Sequence, residues 1–125
     1  MKKIFVVDDN TSNLLIADEF LSDQYDAYTL SSAAFMFNLL ENVTPDLILL
    51  DLLMPEISGY EALKRLKEDE RYAFIPVVII TSKTDEATEK QCMEMGAVDF
   101  IRKPFSKPVL LDRVNGLLGI NSEAV

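Results

Sequence analysis

The chain has 125 residues, of which 49% are hydrophobic, so it is long enough to bury the core of one domain without a disulfide or a structural metal. Its formal net charge of −9 opposes a phosphate backbone, and we therefore expect no direct binding of nucleic acid by this chain. The single cysteine excludes an internal disulfide, and the absence of histidine excludes an imidazole metal ligand, a histidine general base and a phosphohistidine within the chain.

Five short apolar runs predict five strands that alternate with five helices. In chain order, the strands are predicted at residues 4–7, 27–30, 47–50, 77–80 and 100–103, and the second gives the weakest signal. Between these runs, apolar residues recur at roughly helical spacing. Candidate amino-terminal caps of the first, second and fourth helices are Thr11 or Ser12, Ser31 or Ser32, and Asp85. Gly96 fits the C′ position after the fourth helix, and Gly59 is predicted to lie in the loop before the third.

Continuous runs of Val, Ile and Leu are typical of parallel strands that are covered by helices on both faces. The right-handed crossover rule and the short connections favour an α/β fold with one doubly wound, five-stranded parallel sheet and five helices. We assign residues 1–119 to this domain and residues 120–125 to a carboxyl-terminal tail or the start of a linker. No signal-peptide region and no long apolar span is present, so we expect a cytoplasmic protein that does not enter the membrane.

Oxygen-bearing side chains follow three of the predicted strands at the point where each strand ends. Asp8 and Asp9 follow the first run, Asp51 follows the third, and Thr81 and Ser82 follow the fourth. Each has a simpler interpretation when taken alone: Asp8-Asp9 as turn and capping residues, Asp51 as a solvated strand end, and Thr81 as a β-branched residue that ends a strand. Ligands of parallel sheets bind beyond the carboxyl ends of the strands, however, and clustered carboxylates repel one another unless a cation neutralises them. The pattern therefore predicts a site for a hard divalent cation bound by oxygen, such as Mg²⁺.

Several motifs in order along the chain resemble the receiver domain of two-component response regulators. The resemblance runs from the acidic pair at residues 8–9 to residues 103–105. Its pieces are Asp8-Asp9, the segment Leu49-Leu50-Asp51-Leu52-Leu53-Met54-Pro55, Gly59, Thr81-Ser82, Gly96-Ala97 and Lys103-Pro104. It implies a flavodoxin-like fold with the strand order 2-1-3-4-5.

The resemblance implies that Asp51 accepts a phosphoryl group from a phosphohistidine on a histidine kinase or a phosphotransfer protein. It also implies that Asp9, Asp51 and the backbone carbonyl of Leu53 ligate Mg²⁺, while Asp8 acts largely through metal-bound water. Mn²⁺ is the alternative ion. Such a domain is a signalling phosphoacceptor that catalyses only its own phosphorylation and dephosphorylation.

By the same resemblance, Lys103 pairs with Asp51 before phosphorylation and with phosphoryl oxygen afterwards, although a lysine after a strand is more often simply solvated. The Lys103-Pro104 bond is a candidate cis peptide. Thr81 is expected to bind the phosphoryl group and Phe100 to change rotamer with it. Together they would alter the surface of the fourth helix, fifth strand and fifth helix, which contacts a downstream output domain or protein or forms a phosphorylation-dependent homodimer.

Three residues beside the site are candidates for tuning its kinetics. Leu53 lies two residues after Asp51, and Ser82 and Lys83 follow Thr81. We hypothesise that the bulky Leu53 slows hydrolysis of the phosphoryl group by excluding water, and that Lys83 adds a phosphate contact.

Three alternatives remain open at this point. A phosphatase of the haloacid dehalogenase type would use Asp8 as its nucleophile and an acid two residues later, but that position is Asn10. A flavodoxin-like electron carrier would need a glycine- and hydroxyl-rich loop after the first strand. The third alternative is a protein-interaction module that works without phosphorylation. A receiver could in turn act alone or as the amino-terminal part of a longer regulator.

Overall fold

Five strands and five helices alternate along the chain, as the apolar runs predict. The computed structural model describes residues 1–83 and 85–119, so the predicted tail at 120–125 lies outside the described residues. The elements are β1 (Lys3–Val7), α1 (Thr11–Leu21), β2 (Asp26–Leu30), α2 (Ala33–Leu40), β3 (Leu47–Asp51), α3 (Gly59–Glu68), β4 (Val77–Thr81), α4 (Glu86–Glu94), β5 (Asp99–Arg102) and α5 (Lys107–Leu118). Among the described helices, none combines the length and apolar character needed to cross a bilayer.

The strands form one parallel sheet in the order β2-β1-β3-β4-β5, which confirms the predicted fold class. This order makes β1, β3 and β4 neighbours at the centre of the sheet. In the register of the sheet, Val7 lies beside Leu50, and Asp51 lies beside Ile80. The residues that follow β1 and β3 and those that end β4 therefore meet at one edge.

Each face of the sheet carries its own apolar core, because successive side chains of a strand point to opposite faces. On one face, Phe5, Leu50 and Ile79 pack with residues of α2, α3 and α4. On the other, Leu49 and Ile80 pack with residues of α1 and α5. The central strands are buried on both faces, which explains their continuous apolar runs. The edge strand β2 is only partly buried, and its sequence signal is correspondingly weak.

Side chains cap the amino terminus of every helix that the described residues contain. Each cap accepts a hydrogen bond from the backbone N–H three residues later; the caps are Asn10, Ser32, Ser58, Asp85 and Ser106. The predictions for the second and fourth helices are confirmed, and Gly96 lies after α4 with a φ of 107°, as a C′ glycine does. The prediction of Thr11 or Ser12 for the first helix is wrong. The amide oxygen of Asn10 accepts from the N–H of Asn13, so Thr11 and Ser12 already lie within the first turn.

Gly59 is the first residue of α3 rather than a loop residue, and it lies against the end of β3. Its N–H donates a hydrogen bond of 2.8 Å to the carbonyl oxygen of Leu52. A Cβ at residue 59 would lie 2.0 Å from the carbonyl oxygen of Asp51 and 2.5 Å from the Cα of Leu52. Only glycine lets α3 begin this close to the strand end that carries Asp51.

Replacing Gly59 with alanine should therefore destabilise the domain. Because the obstructing atoms belong to the backbone, they cannot move aside cheaply, and we expect a loss of about 3 kcal/mol in the free energy of unfolding. Gly116→Ala is the matched control, since among the described residues no atom outside the adjoining backbone of α5 lies within 4 Å of a Cβ at that position. That change should stabilise the domain by about 0.5–1 kcal/mol. Urea denaturation of both variants measures the difference, and similar effects from the two would contradict the packing argument.

Candidate functional site

A cavity of about 400 Å³ lies at the carboxyl edge of the sheet. It is bounded by residues that follow β1, β3, β4 and β5 and by the first turn of α1. The lining residues are Asp8, Asp9, Asn10, Asn13, Asp51, Leu53, Ser82, Lys103 and Pro104. The strand order thus brings together residues that are far apart in the sequence.

Three carboxylates converge in this cavity. Each of Asp8, Asp9 and Asp51 has a carboxylate oxygen within 4.8 Å of one from each of the others. Asp8 is fully buried and Asp51 is only 4% exposed, whereas Asp9 is exposed to solvent. Three hard oxygen donors at this separation fit Mg²⁺ or Mn²⁺, which bind to carboxylates and retain water ligands.

Lys103 places its ammonium group between two of these carboxylates. Its Nζ lies 2.6 Å from Oδ2 of Asp8 and 3.3 Å from Oδ2 of Asp51. The expected contact with Asp51 is therefore present, but the shorter contact is with Asp8. The Lys103-Pro104 peptide bond is cis. One cation thus offsets part of the charge of two buried acids.

The surroundings of Asp51 disfavour its charged form. Burial, and then the negative charge of Asp8, raise the pKa of Asp51 from 3.8 to about 6. Lys103 and the backbone N–H of Leu53 lower the pKa and partly offset this shift. The N–H of Leu53 lies 3.4 Å from Oδ1 of Asp51. A cation added beside Asp51 would stabilise its charged form beyond what Lys103 and this N–H provide.

Two asparagines at the site were not among the residues predicted from the sequence. The backbone N–H of Asn10 donates to Oδ1 of Asp8 at 2.9 Å, and Nδ2 of Asn13 donates to Oδ2 of Asp8 at 3.2 Å. With Lys103, they give both oxygens of Asp8 a hydrogen-bond donor. Helical spacing could have found Asn13. Once Asn10 is recognised as the cap, residue 13 lies about one helical turn after it, at the end of α1 that adjoins the acidic pair.

The residues at the end of β4 and just after it differ in their burial and in whether they line the cavity. Thr81 is fully buried, and its Oγ1 accepts a hydrogen bond of 3.1 Å from the N–H of Lys83. Ser82 and Lys83 are exposed, and of these three residues only Ser82 lines the cavity. Leu53, on the opposite rim, lines the cavity and is 53% exposed.

Phe100 lies in the core, on the face of the sheet covered by α2, α3 and α4. It pairs in register with Ile79, so its side chain lies on the same face as that of Thr81, two residues further along β4. Phe100 also borders a second cavity of about 530 Å³, formed with residues of α4, β5 and α5 such as Glu89 and Val109. It therefore lies between Thr81 and the surface of these elements.

Comparison with known proteins gives consistent matches over nearly the whole chain. The family model of the response regulator receiver domain matches residues 4–115. The polar-differentiation response regulator DivK of Brucella ovis is 33% identical over 119 residues, which are 94% of this chain and 97% of DivK. A probable cyclic di-GMP phosphodiesterase of Vibrio cholerae is 36% identical over 112 residues, which are 90% of this chain but only 25% of that protein. The chain therefore spans about a quarter of the phosphodiesterase.

Among solved structures, the chemotaxis protein CheY4 of Vibrio cholerae has the same architecture. It superimposes with a TM-score of 0.89 at 26% identity, over 94% of this chain and 99% of CheY4.

The raised pKa of Asp51 predicts how stability depends on pH in the absence of divalent cations. Between pH 3.8 and about 6, folded Asp51 holds a proton that the unfolded chain has lost, so this residue's contribution to stability falls as pH rises through that window. Asp51→Asn should therefore raise the free energy of unfolding by about 2 kcal/mol near pH 7.5, and by much less near pH 4.

Denaturation at both pH values, with chelator present, tests this prediction. Asp112→Asn, which removes an exposed carboxylate on α5, is the matched control and should have little effect at either pH. An equal gain in the free energy of unfolding from Asp51→Asn at both pH values would contradict the raised pKa of Asp51.

Proposed function

The chain belongs to the response regulator receiver domain family of two-component signalling, and from this premise we propose that Asp51 accepts a phosphoryl group from a partner's phosphohistidine. Receiver domains act with histidine kinases and output domains. The observation that carries the proposal is the position of Asp51: a nearly buried carboxylate at the end of a central strand, with two further carboxylates and a lysine around it. A histidine kinase or a phosphotransfer protein would be the donor, and we propose that the exchange takes place in the cytoplasm.

The phosphoryl transfer needs only one nucleophile from this chain. A carboxylate oxygen of Asp51 attacks the phosphorus of the donor's phosphohistidine. The new P–O bond forms as the P–N bond breaks, and the imidazole nitrogen keeps the electron pair and takes a proton from solvent. The ammonium of Lys103, 3.3 Å from Oδ2 of Asp51, lies where it can bind a phosphoryl oxygen.

The acidic cluster supports a metal site with divided roles. Asp9, Asp51 and the backbone carbonyl of Leu53 would hold Mg²⁺, with Mn²⁺ as a substitute. The two oxygens of Asp8 already accept three hydrogen bonds from protein groups, which favours contact through a water molecule. When bound, the metal supplies positive charge that offsets the charge of the phosphoryl group.

We propose that the phosphorylated state is communicated through Thr81 and Phe100. Thr81 would turn its hydroxyl from the N–H of Lys83 towards the phosphoryl group, and Phe100 would repack behind it on the same face of the sheet. The change would reach the surface of α4, β5 and α5, where Phe100 borders the second cavity. A downstream domain, a separate protein or a second copy of the chain would bind there in response.

The relatives show two arrangements through which an output could be connected to such a domain. DivK is almost the same length as this chain, whereas the probable phosphodiesterase contains much more sequence than the matched part. The output can therefore lie in another protein or in a linked domain. A phosphatase with Asp8 as nucleophile fits the site less well, because Asp8 is fully buried and its oxygens are already hydrogen-bonded.

Incubation with acetyl phosphate should add one phosphoryl group to the protein only when Mg²⁺ is present. Intact-protein mass spectrometry measures the addition, and Asp51→Asn should abolish it because the amide is not a nucleophile. Asp112→Asn should be phosphorylated like the original chain. If the original chain takes up no phosphoryl group from acetyl phosphate or from a phosphorylated histidine phosphotransfer protein, the proposal is wrong, and binding without phosphorylation becomes the better function.

Leu53→Asn should shorten the lifetime of the phosphoryl group by about three- to tenfold, because a polar side chain at the rim admits the attacking water. That water attacks phosphorus, and the P–O bond to Asp51 breaks to give inorganic phosphate and the carboxylate. Leu117→Asn, at an exposed leucine on α5, is the matched control. The lifetime is followed by the loss of phosphorylated mass after removal of the donor, and an unchanged lifetime would exclude this role for Leu53.

A further inference from the structure

Two side chains of different charge donate to the same oxygen of Asp8. Oδ2 of Asp8 accepts from the Lys103 ammonium at 2.6 Å and from Nδ2 of Asn13 at 3.2 Å. The other oxygen accepts the backbone N–H of Asn10 at 2.9 Å. Asp8 is fully buried, so a donor that leaves it is not readily replaced by bulk water. The cost of losing a donor is therefore larger here than at the surface.

Lys103 is the donor that phosphorylation would draw away. Its Nζ is already within 3.3 Å of Oδ2 of Asp51, where the phosphoryl group would be attached. A phosphoryl group brings strong acceptor oxygens and additional negative charge, both of which attract an ammonium. As Lys103 moves towards those oxygens, its bond to Asp8 lengthens.

We propose that Asn13 is a positioning residue that keeps Asp8 hydrogen-bonded while Lys103 transfers to the phosphoryl group. The inference rests on the proposed function of Asp51. The neutral amide of Asn13 has no net charge to draw it onto the phosphoryl group. The backbone of Asn13 is fixed in the first turn of α1, because its N–H donates to Oδ1 of the capping residue Asn10 at 3.1 Å. Asp8 thus keeps a side-chain donor and its orientation in both states.

Binding of beryllofluoride, a mimic of the phosphoryl group, tests the proposal without the kinetics of phosphorylation. The dissociation constant for beryllofluoride would be measured by calorimetry at saturating Mg²⁺, and that for Mg²⁺ would be measured alone. Asn13→Leu keeps the approximate size of the side chain but removes its donor. Asn38→Leu makes the same change at an exposed position on α2 and is the control. Asn13→Gln restores an amide donor on a side chain one methylene longer.

Asn13→Leu should weaken beryllofluoride binding by about five- to tenfold, with less than about a twofold change in Mg²⁺ binding. Asn38→Leu should leave both constants unchanged, and Asn13→Gln should recover at least part of the affinity for beryllofluoride. A purely structural role would lower the unfolding midpoint of the free protein and leave the beryllofluoride constant unchanged, which would overturn the proposal.

Two further outcomes distinguish failure of the inference about Asn13 from failure of the proposed function of Asp51. If Asn13→Leu weakens Mg²⁺ and beryllofluoride binding equally, Asn13 serves only the metal site, and its role in the transfer of Lys103 is refuted. If the original chain binds no beryllofluoride even with Mg²⁺, the proposed function of Asp51 fails, and the inference about Asn13 fails with it.

A second measurement uses the free protein. In a Lys103→Met background, Asn13 is the remaining side-chain donor that the structure gives to Asp8. Asn13→Leu should therefore lower the unfolding midpoint more in that background than in the original chain. Equal losses of unfolding midpoint in the two backgrounds would contradict the inference that Asn13 and Lys103 both support Asp8 by hydrogen bonds.

Discussion

The sharing of one ammonium by two buried carboxylates is the constraint around which the site is built. Asp8 and Asp51 lie close enough to repel each other, and the sheet order leaves no room to separate them. Lys103 offsets their charge only in part, and burial, followed by the negative charge of Asp8, keeps the pKa of Asp51 raised. The groups that the chain itself supplies therefore leave the site with excess negative charge. A divalent cation would offset the remaining negative charge.

The rest of the fold holds these charges at one edge without taking part in the chemistry. The two apolar cores fix the central strands from both faces, so the residues at the strand ends are carried by buried, rigid elements. Gly59 lets α3 begin directly beside the backbone of Asp51. Asn10 begins α1 immediately after the acidic pair and directs its first turn over Asp8. Positions that look structural in the sequence thus determine the geometry of the acids.

Much of this arrangement could be predicted from the sequence, and the omissions have a common physical cause. The strands were predictable because each central run is buried on both faces, and the acids were conspicuous because they interrupt such runs. Asn13 was missed because its partner Asp8 lies before the helix, and helical spacing relates only residues within α1. Gly59 was assigned to a loop because local spacing does not report how closely α3 approaches the backbone of Asp51 and Leu52, whose atoms exclude a Cβ. Local patterns report periodicity and burial, but they do not report which side chain faces which across the fold.

The ion pair between Lys103 and Asp8 joins residues 95 positions apart in the sequence. During synthesis, the segment that contains Asp8 and Asp51 leaves the ribosome well before Lys103 does. Until β5 has emerged and joined β4, the acids at the sheet edge lack the counter-charge of Lys103. The ion-paired edge of the sheet is in this way completed only when the last strand joins it.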